Sequence, residues 1–239
     1  AAVSTVRPDK SPTCSNSEAP PDKLRAHERL ASPILSAMEP SASFLADPPV
    51  TESVQAVYAD DVASDGFVNN ATRAWGWRPD LLTAFQDLRD QLVAGSSLTP
   101  REVAVMVAAT AAARGDSYCA FAWGIKLARL SDEATAASVL AGDAADLSSR
   151  EAALAAWSRQ VVRDPNATTD ADVQVLRQAG FDDREILEAT VWIGFRLAFS
   201  TINDAVGAAP DHQMIESAPE LVRGAIMFGR RPASDHSDD

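Results

Sequence analysis

The sequence predicts an all-α protein, and three observations support this fold class. Alanine is abundant, runs of β-branched residues are scarce, and no alternation of apolar and polar residues lasts more than a few positions. Hydrophobic residues make up 46% and charged residues 23% of the 239 residues, which is enough apolar material for a sizeable core. Helix-start signals recur along the chain. They predict about eight helices, at residues 51–63, 80–93, 100–114, 117–129, 132–140, 149–163, 170–178 and 183–206.

Capping residues mark where the central helices begin. In "LTPRE", Thr99 is the N-cap, Pro100 takes the first helical position, and Glu102 stands three residues after the cap. Ser148 and Glu151 repeat this spacing in "DLSSRE". Because such pairs satisfy backbone N–H groups that a helix start leaves free, they predict the starts of two helices.

The last two predicted helices also have clear boundaries. Asp182 and Glu185 form another capping pair, and Gly180 suits the left-handed turn after the preceding helix. The segment 100–114 is apolar nearly all round, which predicts a buried central helix. Residues 183–206 are apolar on most faces, so neighbouring helices or a second subunit should cover them. We therefore expect a homo-oligomer.

The chain divides into three parts by composition. Residues 1–45 are rich in Pro, Ser and Ala, and we expect a partly disordered arm with a short helix within residues 22–38. Residues 46–212 carry the helical pattern and form the predicted domain. Residues 213–239 are predicted to be a C-terminal extension and tail.

Charge and hydropathy exclude several functions. There are 21 Lys+Arg against 34 Asp+Glu, which gives a net charge of -13, and no basic run offsets it, so we expect no nucleic-acid partner. No apolar stretch reaches the ~18–20 residues of a membrane span, and the N-terminus lacks a secretory-signal pattern. We therefore expect no membrane partner and a cytoplasmic location.

The sequence predicts neither a metal site nor a cofactor. The three histidines, His27, His212 and His236, form no pair at helical spacing, and the glycines are scattered rather than gathered in a phosphate-binding loop. The two cysteines, Cys14 and Cys119, cannot make a disulfide framework. The partner that remains is a small-molecule substrate.

Cys119 is the one cysteine in the predicted helical domain, and two interpretations of it stay open. It follows the turn at Gly115 and Asp116, so it lies in the first turn of the next helix. Backbone N–H groups there favour a thiolate, which is a reactive setting. A free cysteine is also among the most buried residue types, so Cys119 could equally be a small core residue.

Four stretches between about Glu52 and Gly207 resemble one known family. They are "GFVNNATRAWGWRPDLLTAFQDLRDQL", "LTPREVAVMVAATAAARGDSYCAFAWGIKLA", "TDADVQVLRQAGFDDREILEATVWIGF" and "INDAVG". They are similar, in this order, to the alkylhydroperoxidase D-like / carboxymuconolactone decarboxylase family, especially its peroxidase-related branch. The resemblance implies a helical bundle of that type, assembled into trimers or hexamers.

The family's peroxidatic motif is degenerate here. That motif has a Glu, a Cys twelve residues later, a second Cys after three more, and a His after another four. With Cys119 as the second Cys, the other places hold Ala104, Asp116 and Trp123. A CxxC disulfide and the Glu/His proton relay are therefore both absent, and Cys119 would need an external thiol to complete a peroxidase cycle.

The replacing residues suggest a different pocket. Asp116, Tyr118, Cys119 and Trp123 should cluster in the space of the former relay, where one carboxylate beside an aromatic wall suits proton transfer. Asp116 is equally suited to capping the helix that follows it.

For several other residues, a purely structural explanation stands beside a functional one. Trp75 and Trp77 either line the pocket or pack in the core or a subunit contact. Arg196, alone in an apolar helix, needs a partner, which could be Asp116, Asp204, a subunit interface or an anionic substrate. "YADD", ending at Asp61, is most simply a solvated helix end.

Three functional hypotheses follow from the sequence. The first is a cofactor-independent enzyme that decarboxylates, isomerises, eliminates or cyclises a small, largely apolar metabolite, with Asp116 and Cys119 as catalytic residues. The second is a single-cysteine thiol peroxidase that uses Cys119 and an external reductant. The third is a non-catalytic oligomeric binding protein.

Overall fold

The computed structural model describes residues 42–233, which are helical and contain no strand. The predicted helix within residues 22–38, together with Cys14, His27 and His236, lies outside the described residues. The α-helices are α1 (Glu52–Asp65), α2 (Asn70–Trp75), α3 (Pro79–Gly95), α4 (Pro100–Arg114), α5 (Ser117–Leu130), α6 (Glu133–Ala141), α7 (Ser149–Arg163), α8 (Asp170–Gln178), α9 (Asp183–Val206), α10 (His212–Ser217) and α11 (Glu220–Ala225). A short 3₁₀ turn, Pro165–Ala167, joins α7 to α8. The all-α prediction is confirmed.

The eight predicted helices are all present, with ends within two residues of the predicted ones. Three helices of six residues each, α2, α10 and α11, were not predicted. None of the three has a side-chain hydrogen bond at its N-cap. They are also too short to show the apolar periodicity that located the longer helices.

The predicted capping pairs form as expected. Thr99 Oγ1 accepts a hydrogen bond from the Glu102 backbone N–H at 3.2 Å, and Glu102 Oε2 accepts one from the Thr99 N–H at 2.8 Å. Ser148 and Glu151 make the same reciprocal pair at the start of α7. After α8, Gly180 has φ +93°, the left-handed conformation that glycine adopts without steric cost.

Helix α4 forms the centre of the bundle, as its all-round apolar sequence predicts. Val105 and Met106 are completely buried, and the small Ala104 and Ala108 let neighbouring helices approach closely. Helices α5, α7 and α9 pack around α4. Because interiors are close-packed, truncating Met106 to Ala would cost about 2–5 kcal/mol of stability.

The segment after α9 packs back onto the bundle. Val222 of α11 is completely buried, and α11 lies against α5 and α6. Gly124 permits this approach, since a Cβ there would come within 2.9 Å of side-chain atoms of both Leu140 and Val222. Residues 218–226, predicted to belong to an extension, thus contribute to the core of the described domain.

The acidic end of α1 is only partly solvated, contrary to the sequence interpretation: Asp60 is exposed, but Tyr58 and Asp61 are buried. Tyr58 is 2% exposed and Asp61 is 8% exposed. Asp61 Oδ2 accepts a hydrogen bond from the Asn69 N–H at 2.9 Å, so this carboxylate fastens the turn between α1 and α2. Tertiary contact with a later backbone N–H draws the residue inward, and a local reading of "YADD" cannot detect that contact.

Within residues 42–233, no helix has the length and apolar character needed to cross a membrane.

Candidate functional site

A cavity of about 1150 Å³ opens between α1, α3, α5, α9 and α10. Its inner wall, as we call it, combines polar and reactive groups with aromatic rings. The inner wall consists of Phe85, Tyr118, Cys119, Phe195, Arg196 and Phe199. The inner wall therefore brings together the one thiol of the described residues, the guanidinium of Arg196 and an aromatic surface.

The start of α5 sets the position of Cys119. Gly115 ends α4 with φ +75°, and Asp116 then becomes the N-cap of α5. Asp116 Oδ1 accepts a hydrogen bond from the Cys119 backbone N–H at 3.0 Å. The capping role of Asp116 is thus observed. Cys119, held in the first helical turn, is only 2% exposed.

A row of polar side chains on α9 faces this thiol. Arg196, Ser200 and Asn203 follow one another at intervals of four and three residues, which puts them on one face of the helix. Arg196 Nη2 donates to Cys119 Sγ at 2.9 Å, and Ser200 Oγ donates to the same sulfur at 3.6 Å. Asn203 Oδ1 accepts from Trp75 Nε1 at 2.8 Å. We call these three residues the polar row.

Arg196 is 9% exposed and its guanidinium rests on aromatic rings. Its Cζ lies 4.8 Å from the centre of the Phe199 ring and 5.6 Å from that of Trp123. Among residues 42–233, no carboxylate approaches it within ion-pair distance, so the pairing with Asp116 or Asp204 that the sequence suggested is not observed. The partner of Arg196 is the sulfur instead.

The surroundings of Cys119 keep the thiol protonated at neutral pH. Burial raises the pKa of Cys119 to about 11, because the low-dielectric interior disfavours the thiolate. The Arg196 guanidinium lowers this pKa and the Asp116 carboxylate raises it. Desolvation therefore outweighs the helix-start effect that favours a thiolate. Arg196 remains as a built-in counter-ion for the charged form.

Asp116 lies behind the thiol, outside the residues that line the cavity. Its side chain is completely buried, and its Oδ2 has no hydrogen-bond partner among the described residues. Its charge adds to burial in raising the pKa of Asp204. Direct contact of Asp116 with a substrate is consequently not part of this geometry, whereas its carboxylate does raise the pKa of the Cys119 thiol.

A second hydrogen-bonded group, which the sequence analysis did not identify, adjoins Cys119. Tyr118 Oη donates to Asp211 Oδ2 at 2.7 Å, and Asp211 Oδ1 accepts from the Asn70 N–H at 2.8 Å. Burial raises the pKa of Tyr118 well above its ordinary value and that of Asp211 to about 6. Asp211 stands in a loop, and no pattern in the sequence marks it.

Asp61 is the other titratable residue that sequence reasoning missed. It contributes to the cavity lining, and burial raises its pKa to about 6, while the hydrogen bond from Asn69 lowers it. A carboxyl group with such a pKa changes protonation state near physiological pH. Because Asp61 lines the cavity and Asp116 does not, Asp61 is the better placed of the two to exchange a proton with a bound molecule.

The three tryptophans named from the sequence stand outside the cavity lining. Trp75 stacks on Phe199, with ring centres 5.6 Å apart and planes 14° from parallel. Trp77 is 49% exposed and donates from Nε1 to the Ala46 carbonyl at 2.9 Å. Trp123 lies behind the guanidinium of Arg196. Trp75 and Trp123 thus support the inner wall from behind, and Trp77 takes no part in it.

The mouth of the cavity is predominantly acidic. Its exposed charged residues are Asp60, Asp65, Asp87, Asp90, Arg89 and Arg129.

In the described part of the chain, no three His, Cys, Asp or Glu side chains are arranged to hold a metal ion.

Comparisons with known proteins identify the fold. No protein-family model matches the chain, and no curated protein matches it. Among solved structures, it is similar to a peroxidase-related protein from Silicibacter sp. TM1040, at 23% identity and a TM-score of 0.65, over 73% of this chain and 95% of that one.

Two further structures extend the comparison. A peroxidase-related protein from Ralstonia eutropha JMP134, described as an alkylhydroperoxidase AhpD core, gives 23% identity and a TM-score of 0.65, over 82% of this chain and all of that one. The debrominase Bmp8, as a cysteine-to-alanine variant in complex with 2,3,4-tribromopyrrole, gives 16% identity and a TM-score of 0.61, over 75% of this chain and 96% of that one. The chain thus has the alkylhydroperoxidase D-like fold, as the sequence resemblance predicts.

Proposed function

We propose that the protein is a thiol-dependent enzyme that uses Cys119 to reduce a small, largely apolar compound in the cavity. One observation carries the proposal: Cys119 belongs to the inner wall, and Arg196 Nη2 lies 2.9 Å from its sulfur. A guanidinium at that distance stabilises the thiolate once the proton has left. The thiol is thereby held ready for chemistry although its resting form is neutral.

The proposed cycle consumes two external thiols for each substrate. Cys119 gives its proton to the adjoining Asp116 carboxylate, and the thiolate attacks an electrophilic atom of the substrate, a halogen or a peroxide oxygen. The bond between that atom and the rest of the substrate breaks, and the departing fragment keeps the electron pair and takes up a proton. One external thiol displaces the transferred atom as halide or water and forms a mixed disulfide with Cys119. A second external thiol releases the free Cys119 and an external disulfide.

The aromatic lining of the cavity favours a flat substrate. Phe85, Phe195 and Phe199 supply aromatic surface beside the sulfur, with the Phe85 and Phe195 ring centres 5.1 Å apart. The similar debrominase binds 2,3,4-tribromopyrrole. A halogenated aromatic compound is therefore the first substrate to test, and an organic peroxide is the second. The cycle needs no cofactor other than the external thiol.

The decisive experiment compares the two cysteines. Purified protein is incubated with dithiothreitol and either tribromopyrrole or cumene hydroperoxide, and loss of substrate is followed by liquid chromatography. We expect Cys119→Ser to abolish turnover and Cys14→Ser, the matched control, to retain it. Turnover that survives in Cys119→Ser would refute the proposal for that substrate.

Acid–base chemistry without thiol participation is the second candidate function, and it is the first that the sequence suggested. It is supported by Asp61, whose buried carboxyl contributes to the cavity lining and has a pKa raised by burial to about 6. Under this candidate, Asp61→Asn loses turnover and Cys119→Ser keeps it. If neither variant affects any activity, the non-catalytic binding hypothesis gains.

We also propose that the protein is a homo-oligomer, a trimer or hexamer as the family resemblance implies. The outer face of α9 supports this, since Leu187 is 64% exposed and Val191 and Ile202 are each 38% exposed on one long helix. Burying such a face removes apolar area from water. Sedimentation of wild type against Leu187→Glu tests it, because the variant should dissociate.

A further inference from the structure

Arg196 has more hydrogen-bonding capacity than the described residues use. A guanidinium carries five N–H donors. One nitrogen, Nη2, donates to the Cys119 sulfur, while Nε is buried and has no partner among residues 42–233. The side chain is 9% exposed and contributes to the cavity lining. A buried cation left in this state is costly unless an anion joins it.

A second cation, Lys126, shares an aromatic neighbour with Arg196. Lys126 Nζ lies 4.5 Å from the centre of the Trp123 ring, and the Arg196 guanidinium lies against the same ring. Burial lowers the pKa of Lys126, and the Arg89 and Arg196 charges lower it further. Within the described part of the chain, neither Lys126 nor Arg196 takes part in an ion pair. Arg196 is therefore a cation of the inner wall with no anionic partner among the described residues, in contrast to the acidic mouth.

We propose that Arg196 is the docking group for a carboxylate, so that the cavity takes a flat, apolar monocarboxylic acid. Planar guanidinium and carboxylate groups match in geometry, and such charge-assisted hydrogen bonds are among the stronger ones. The inner-wall rings of Phe195 and Phe199 contact the apolar body of the acid. Because Arg196 Nη2 also contacts the sulfur, the acid group is docked directly beside Cys119.

This inference deepens the proposed function and rests on it only in taking the cavity as the active site. It limits the substrates to compounds whose reacting atom is close to an acid group. A neutral halogenated aromatic or a neutral peroxide would then react more slowly than its carboxylated counterpart. The difference arises in binding, since the carboxylate contacts Arg196 before and during the reaction.

Calorimetric titration at pH 7.5 with benzoate and with benzamide, its neutral counterpart of similar shape, tests the inference. Charge-assisted hydrogen bonds predict that the wild type binds benzoate at least about tenfold more tightly than benzamide. Arg196→Gln should lose this preference. Arg129→Gln, which removes an exposed arginine from the mouth, is the matched control and should keep it. Equal binding of both compounds, no benzoate binding, or an unchanged preference in Arg196→Gln would overturn the inference.

Two additions keep the experiment decisive. If Arg196→Gln fails to fold, Arg196→Lys retains the charge but loses the planar fork and should show a reduced benzoate preference, and the wild-type comparison stands by itself. Failure of the proposed function is a separate result, because benzoate binding requires no turnover. Intact Cys119-dependent turnover without benzoate binding would refute only the docking role of Arg196.

Discussion

The raised pKa of the Cys119 thiol should make this cysteine slow to react at neutral pH. Its pKa is about 11, against an ordinary value of 9.0. At pH 8 only about one thiol in a thousand is then ionised, compared with about one in ten for an ordinary thiol. Alkylation by iodoacetamide requires the thiolate, so Cys119 should react about 100-fold more slowly than an exposed cysteine.

Substituting its two charged neighbours should shift this pKa in opposite directions. Asp116→Asn removes a negative charge, and we expect the pKa to fall by about one unit, equivalent to a tenfold faster reaction or about 1.4 kcal/mol. Asn is as good an N-cap as Asp, so α5 should keep its start. Arg196→Gln removes the positive charge and should slow the reaction at pH 9 by a similar factor.

The assay is the rate of iodoacetamide labelling between pH 7 and 12, followed by mass spectrometry of the Cys119 peptide in a Cys14→Ser background. The midpoint of the rate profile tests the prediction. Easier access to the sulfur would multiply the labelling rates at all pH values by the same factor and leave this midpoint unchanged. A midpoint near 9 in the wild type would refute the dominance of burial. A higher midpoint in Asp116→Asn would refute the assigned sign.

Three further predictions concern stability, measured as the free energy of unfolding in urea. Burial raises the pKa of Asp61 from 3.8 to about 6, so the native state holds a proton that the unfolded state has lost, and stability falls as pH rises through this window. Asp61→Asn should therefore reduce the fall between pH 4 and 7 by about 2–3 kcal/mol. Gly124→Ala should lower stability by about 1 kcal/mol, because overpacking against two side chains 2.9 Å away outweighs the gain in helix propensity. Thr99→Ala should cost about 1 kcal/mol through the lost cap of α4.

A matched variant serves as the control for the glycine prediction. Gly194→Ala, where a Cβ would meet no atom within 4 Å, should raise stability by about 1 kcal/mol. A stabilising Gly124→Ala would contradict the packing described for α11, and a neutral Thr99→Ala would contradict the importance of the capping box.

Helix boundaries could be predicted from the sequence because they are decided locally. The hydrogen bonds of Thr99 with Glu102 and of Ser148 with Glu151 join residues three apart, so spacing alone identifies them. The six-residue helices are different. Helices α2 and α11 form where tertiary packing stabilises them, and their N-caps, Asn69 and Pro219, make no side-chain cap hydrogen bond.

The site was only partly predictable, for the same physical reason. Cys119 and Arg196 were both singled out, but their contact joins residues 77 positions apart and depends on how α5 packs against α9. Sequence reasoning sought a carboxylate for Arg196 because it could not foresee a sulfur partner. The four- and three-residue spacing of Arg196, Ser200 and Asn203 in an apolar helix was a visible signal for the polar row.

The polar row limits which insertions and deletions in α9 this site tolerates. Helix α9 contacts the Cys119 sulfur through Arg196 and Ser200, and it anchors Trp75 through Asn203. Adding or deleting a single residue between the capped start of α9 and Arg196 would turn all three side chains by about 100° about the helix axis. After an insertion, Phe195 and Phe199 would take the places of Arg196 and Ser200, and after a deletion Leu197 and Thr201 would, so the thiol would lose its guanidinium in either case. Length changes in this stretch should therefore be far less tolerated in related sequences than conservative exchanges.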